Sequence, residues 1–202
     1  MLQAEDFPVY QLTEFTVVAP NLQMPGSRIE GDAIRSAKPM DLAAILANEL
    51  PAAALSRKSP LAGDLVLRGL SRDNVLITID NNKTFCACPN RMDPPAFHVS
   101  SQQVDSVEVR TGPFSVDRGA SIGGSVAVTT RPPADESSAS AYVYAGSFDY
   151  LATGFAGTAR FSEQARFSGG LHHQQGGIFE DGDGVRFTEL NGTNYLDPSA
   201  DR

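Results

Sequence analysis

Val104-Asp105-Ser106-Val107-Glu108-Val109-Arg110-Thr111-Gly112-Pro113 and, a few residues on, Ile122-Gly123-Gly124-Ser125-Val126-Ala127-Val128-Thr129-Thr130 decide the fold. The first stretch alternates around Val104, Ser106-Val107 and Val109 and stops at Gly-Pro, as a short strand closed by a turn does. The second is a β-branched run whose glycines let another backbone come close. Upstream, Val75-Leu76-Ile77-Thr78-Ile79-Asp80 is a nearly continuous apolar strand, ended by Asn81-Asn82, which tolerate turn conformations. Leu65-Val66-Leu67-Arg68 is a shorter strand ending at Gly69. Pro39-Met40-Asp41 opens a helix with Leu42, Ile45 and Leu46 on one face, and Pro51 stops it. Residues 1 to about 34 show little periodicity. Within them Glu14-Phe15-Thr16-Val17-Val18-Ala19-Pro20 is a β-prone run suited to pairing as a lone strand. One helix and a handful of short strands between 35 and 131 predict a small α+β domain.

The pattern changes at Arg131-Pro132-Pro133-Ala134-Asp135-Glu136-Ser137-Ser138, a linker spanning 132–138. Beyond it, in 139–202, come longer amphipathic strands: Ala139 to Gly146, Tyr150 to Phe161, and a third in which Ala165, Phe167, Gly169 and Leu171 alternate with Arg166, Ser168, Gly170 and His172. Apolar on one face and polar or small on the other is the pattern of a membrane β-barrel strand. It fits a half-solvated soluble sheet equally. Gly146-Ser147-Phe148-Asp149 and Ser162-Glu163-Gln164 are the turns between them. From Gln174 to Arg202 the chain is rich in Gly, Asp and Asn, as a surface loop is.

Bulk properties exclude several classes. With 202 residues, 41% apolar, the chain can bury a core. A net charge of −8 with no run of Lys or Arg argues against nucleic acid as a partner. Nothing approaches the ~20 consecutive apolar residues of a membrane helix, so any membrane role falls to strands. The start, Met1-Leu2-Gln3-Ala4-Glu5-Asp6, is acidic and does not resemble a secretory signal. No Gly-x-Ser-x-Gly, phosphate-cradling loop or His-Glu-x-x-His occurs. A Cys88–His98 nucleophile pair has no third group to orient it, so the chain reads as no enzyme, without a catalytic cofactor.

Arg68-Gly69, Ile79-Asp80, Val107-Glu108-Val109-Arg110 with Gly112-Pro113, Gly119, and Gly123-Gly124 before Val126 to Thr130 together resemble the plug of TonB-dependent outer-membrane receptors. Each dipeptide is common alone; their order and spacing carry the resemblance. It implies an α+β plug domain followed by the first antiparallel strands of a transmembrane β-barrel of about 22 strands, truncated here before closure. Three strands cannot close, because unpaired backbone groups in lipid cost several kcal/mol each. It further implies a Gram-negative outer-membrane location, contact with its lipid through the complete barrel, and energy-coupled uptake. The periplasmic TonB protein would be the partner, capturing a box at 14–20 by β-augmentation. Arg68, Glu108, Arg110 and Arg118 would line polar contacts with the barrel lumen, or serve as ordinary surface charge.

Residues 83 to 103 are long for a loop and carry both cysteines, Cys86 and Cys88. A disulfide across one residue is strained, because bridged Cα atoms sit roughly 4.4–6.8 Å apart in a set orientation. Within the loop, Cys88-Pro89-Asn90-Arg91-Met92 followed by Asp93-Pro94-Pro95 resembles the copper-receptor branch of the family. That resemblance implies a copper ion as cargo, held by Cys88 and Met92 with methionines of the barrel. Thiolate and thioether are soft ligands that select Cu(I). At a separation of four, one helical turn would bring both sulfurs to one side. Cys86 is a third ligand, a spare thiol or an oxidation site; His98 is near in sequence but is a common surface residue. His172 and His173 fall on opposite faces of their strand and cannot chelate together. Two other readings stay open: a receptor for iron–siderophore or cobalamin cargo with incidental sulfurs, and a soluble periplasmic copper- or thiol-binding protein.

Overall fold

The β-branched run at 124–130 and the alternating run at 104–111 pair as antiparallel neighbours at the centre of a five-stranded sheet. In this computed structural model residues 26–37, 41–113, 119, 121–186 and 189 are described. In chain order come β1 (Gly26–Glu30), α1 (Gly31–Ser36), α2 (Leu42–Glu49), β2 (Ala53–Arg57), β3 (Gly63–Leu67), β4 (Val75–Ile79), β5 (Asn82–Lys83), β6 (Val104–Thr111) and β7 (Gly124–Thr130). The sheet order is β1-β6-β7-β4-β5, with β4 and β7 parallel and the remaining pairs antiparallel. A register shift between Val104 and Ser106 explains the irregular spacing of the buried residues. The extra residue lets Val104, Ser106, Val107 and Val109 all turn inward. β2 and β3 form a separate hairpin. Ile34 of α1 and Leu42, Ile45 and Leu46 of α2 join Leu65, Leu67, Val107, Val126 and Val128 in one apolar core.

The family-like dipeptides have physical jobs. Arg68 (φ 51°) and Gly69 (φ 82°) form a two-residue turn in the left-handed region, where Leu67 and Leu70 exchange backbone hydrogen bonds. Asp80 (φ 48°) and Asn81 (φ 65°) turn β4 into β5 in the same way. The Asp80 carboxylate also accepts from the Thr130 amide (2.8 Å) and hydroxyl (2.7 Å), pinning the end of β7. Arg110 donates to Glu108 at 2.7 Å along one face of β6, whereas Arg68 is exposed. The run at 14–20, Arg118 and residues 190–202 lie outside the described residues.

Asp41 caps α2, as its position before Leu42 suggests. One carboxylate oxygen accepts from the Ala43 amide at 3.1 Å and the other from Gly63 at 2.6 Å, tying the helix to the β2–β3 hairpin. Burial pushes this carboxyl up from 3.8 to about 6, against the two amides that hold it down. A folded-state pKa above the unfolded one means the native state binds the proton more tightly. Asp41 therefore favours folding most below about pH 4, and that advantage is lost as pH rises through about 6. The shift corresponds to about 3 kcal/mol. Asp41→Ser keeps a capping oxygen without the charge. Its urea midpoint is expected to gain on wild type between pH 4 and 7; parallel curves would contradict the account.

After the linker, β8 (Ser138–Ala145), β9 (Leu151–Arg160) and β10 (Arg166–Gln175) form an antiparallel meander. Its two faces differ as the alternation predicts. Val143, Phe155, Phe167 and Leu171 stand outward, each more than half exposed. Tyr142, Ala152 and His172 turn toward the plug. His172 bonds the Tyr142 hydroxyl through Nδ1 and is half-buried, whereas His173 is exposed, as opposite faces require. Among the described residues no helix is long and apolar enough to cross a membrane.

Candidate functional site

The cysteine loop leaves β5 in extended form. Thr84, Cys86 and Cys88 are half-buried and Phe85 and Ala87 exposed, so both thiols fall on the inner side. Both cysteines are free. The chain then reverses in a β-turn closed by the Arg91 amide on the Cys88 carbonyl at 2.8 Å. Pro89 and Asn90 occupy the central positions, where their residue types are favoured. This corrects the helical-turn expectation: residues 88–92 contain no helix. The sulfur-bearing residues flank a reverse turn, and the proline after Cys88 is the physical reason.

Three polar anchors fix the turn. The Asp93 carboxylate accepts from the Ala87 amide at 2.7 Å and the Cys88 amide at 3.0 Å. Those bonds, Ala87 first, hold its carboxyl below the ordinary range. His98 Nε2 stands 3.7 Å from the same carboxylate. Pro94 and Pro95 are buried and carry the chain into a short 3-10 turn, where Ala96 enters the core. The third anchor is Arg91. Its Nε and Nη2 donate to the two oxygens of Asp64 on β3, at 2.7 and 3.0 Å, with both side chains buried. Its Nη1 lies 3.3 Å from the Cys86 sulfur. The hydrogen bond to Asp64 is the chief reason the guanidinium is raised above its ordinary range.

These anchors leave Met92 58% exposed and Cys88 half-buried. His98 is directed to Asp93 and is exposed. No group of three or more His, Cys, Asp or Glu residues with metal-holding geometry occurs among the described residues. Asp64 and Asp93 were not singled out in sequence. The available signal was Asp64 itself, an acid inside an apolar strand, which demands a buried partner.

The plug rests on the inner face of the meander through polar and small contacts. Ser100 Oγ is 3.5 Å from the Tyr142 hydroxyl. Gly170 leaves room for Gln103, whose Nε2 would stand 2.9 Å from any added Cβ. Arg57, Pro60 and Leu61, beside Asp64 on the β2–β3 hairpin, share a cavity of about 240 Å³ with the Gly146–Tyr150 turn and Phe179. Since β8 runs from the linker to that turn, this end of the hairpin lies at the far end of the strands.

The described residues thus form a mixed-sheet domain seated by polar contacts on three amphipathic antiparallel strands. Residues 20–126 match the TonB-dependent receptor plug domain, and the chain belongs to that family, one of transporters rather than enzymes. Among solved structures it is similar to the copper transporter OprC, with 27% identity and a TM-score of 0.64 over 80% of this chain and 25% of that one. It also shares its fold with P. aeruginosa FpvA bound to pyoverdines, at 16% identity, TM-score 0.64, covering 80% of this chain and 21% of that one. The ferric yersiniabactin receptor FyuA of Yersinia pestis matches at 18% identity and TM-score 0.59, covering 82% and 26%. The chain thus spans about a quarter of the length of these receptors. No curated protein matches.

Proposed function

We propose that this chain is the plug and first wall strands of a TonB-dependent outer-membrane receptor that takes up copper. Cys88 and Met92 are its ligands for Cu(I) within the chain. The carrying observation is the anchored turn: Arg91 and Asp93 hold a thiol and a thioether on either side of one reversal. A stiff loop loses little entropy on closing around an ion. Soft sulfur donors favour Cu(I) over harder divalent ions. The likeness to a copper transporter at 27% identity supports the same cargo.

The remaining roles are part of the same proposal, and the match to the plug family supports them. Residues 14–20 are the segment for periplasmic TonB, and the outward face of Val143, Phe155, Phe167 and Leu171 meets outer-membrane lipid. The division into an N-terminal segment, a plug to residue 131, a linker and wall strands belongs to the same proposal.

The test is competitive Cu(I) titration of the full chain under reducing conditions. Cys88→Ser with Met92→Ala is expected to weaken affinity by more than about 100-fold, beyond what losing a supporting contact costs. An unchanged affinity would sink the copper reading in favour of an iron–siderophore or cobalamin receptor.

A further inference from the structure

We infer that Arg91 is a positioning residue that selects Cys88 over Cys86 as the thiol ligand. The inference rests on the copper reading above. Arg91 sits between the two proposed ligands with a φ of 56°, a left-handed conformation uncommon for a residue other than glycine. Its side chain secures that conformation. Two guanidinium nitrogens fork onto Asp64, and the third reaches the Cys86 sulfur at 3.3 Å and stands 3.7 Å from Asp73.

Two consequences follow. Drawing the guanidinium inward onto β3 fixes the residue between Cys88 and Met92, so both flanking side chains are set relative to the plug and not to the loop alone. The same guanidinium stands beside the Cys86 sulfur, which lies on the same side of the extended segment as Cys88. A Cu(I) ion brought to Cys86 would have to displace the Nη1 hydrogen bond that already occupies its sulfur and disturb the anchor that makes it. Among the described residues no guanidinium hydrogen bond is made to the Cys88 sulfur, while its amide is held by Asp93. Cys86 is thus a hydrogen-bond acceptor for the anchor and not a ligand.

The test uses the full chain carrying Arg91→Leu with Asp64→Leu, because replacing both members of a buried pair by apolar residues generally preserves a fold and adds no new sulfur ligand. Hydrogen exchange of the metal-free chain is read first. Amides of residues 87–91 are expected to exchange at least roughly tenfold faster, while those of β6 and β7 keep their protection. Cu(I) affinity should fall about 10–100-fold, as it does when support of a ligand is lost. Cys86→Ser alone should leave affinity within about twofold of wild type. Loop exchange unchanged in the double variant, or a Cys86→Ser loss as large as that of Cys88→Ser, would overturn the inference. If wild type binds no Cu(I) but loop exchange still rises as expected, the copper reading falls and the anchoring role of Arg91 is upheld.

Discussion

Asp64→Ala is expected to destabilise the plug by about 3–5 kcal/mol, since it leaves a buried guanidinium without its counter-charge. Among the described residues Arg91 then keeps the Cys86 sulfur and the exposed Asp73 carboxylate, 3.7 Å away, as partners. The loss is not confined to the loop. Asp64 follows Gly63, whose amide caps onto Asp41, so movement of β3 strains the start of α2 as well. In urea unfolding followed by circular dichroism, the midpoint should fall sharply. The Asp64→Leu and Arg91→Leu double variant should recover most of it, because the cost lies in the orphaned charge and not in the missing pair. Arg28→Ala is the control. Arg28 pairs with Glu30 at 2.7 Å, but both side chains are more than half exposed, and water replaces such a contact. Its midpoint should not move. An Asp64→Ala midpoint equal to that of Arg28→Ala would show that Arg91 finds solvent on its own.

The contrast between those pairs explains what could be read from sequence. Strands β4, β6 and β7 announce themselves because most of their inward positions are Val, Leu or Ile. α2 does so through Asp41 before a Leu-Ile-Leu face and Pro51 after it. β1 does not, because an edge strand with Ile29 as its one buried residue has no period to detect. α1 is six residues long with Gly31 and Ile34 buried, and β2 is half-exposed throughout. Both are held by tertiary contacts that local pattern does not encode. The wall strands were legible because their alternation is long. At the loop, the sulfurs and prolines were visible, and Cys88-Pro89-Asn90 carried a β-turn signal that the four-residue spacing obscured. The Arg91–Asp64 bond joins residues 27 apart, a pairing no local rule supplies.

Gly124→Ala is expected to cost more than about 3 kcal/mol, by two additive causes. Gly124 has a φ of +135°, a region that side-chain-bearing residues scarcely enter. An added Cβ would also stand 2.3 Å from the Arg110 carbonyl oxygen and 3.1 Å from Thr111 Cα, all backbone that no rotamer change can move aside. The position explains the crowding. Gly124 opens β7 between two partners, paired with Thr111 of β6 and Val75 of β4. Its neighbour Gly123 donates to the Asn74 carbonyl at 2.8 Å, and a Cβ there would meet that oxygen at 2.6 Å. The Gly-Gly pair is thus the gap through which β7 threads between two strands. Gly69→Ala separates strain from overlap, because its φ is +82° but nothing lies within 4 Å of the new Cβ. It should cost only about 1–2 kcal/mol. Neither glycine touches the cysteine loop, so Gly124→Ala should reduce the folded fraction while leaving the Cu(I) affinity of the folded fraction unchanged. A Gly124→Ala midpoint within error of Gly69→Ala would mean the sheet can open at β7, and the tight junction would lose its energetic meaning.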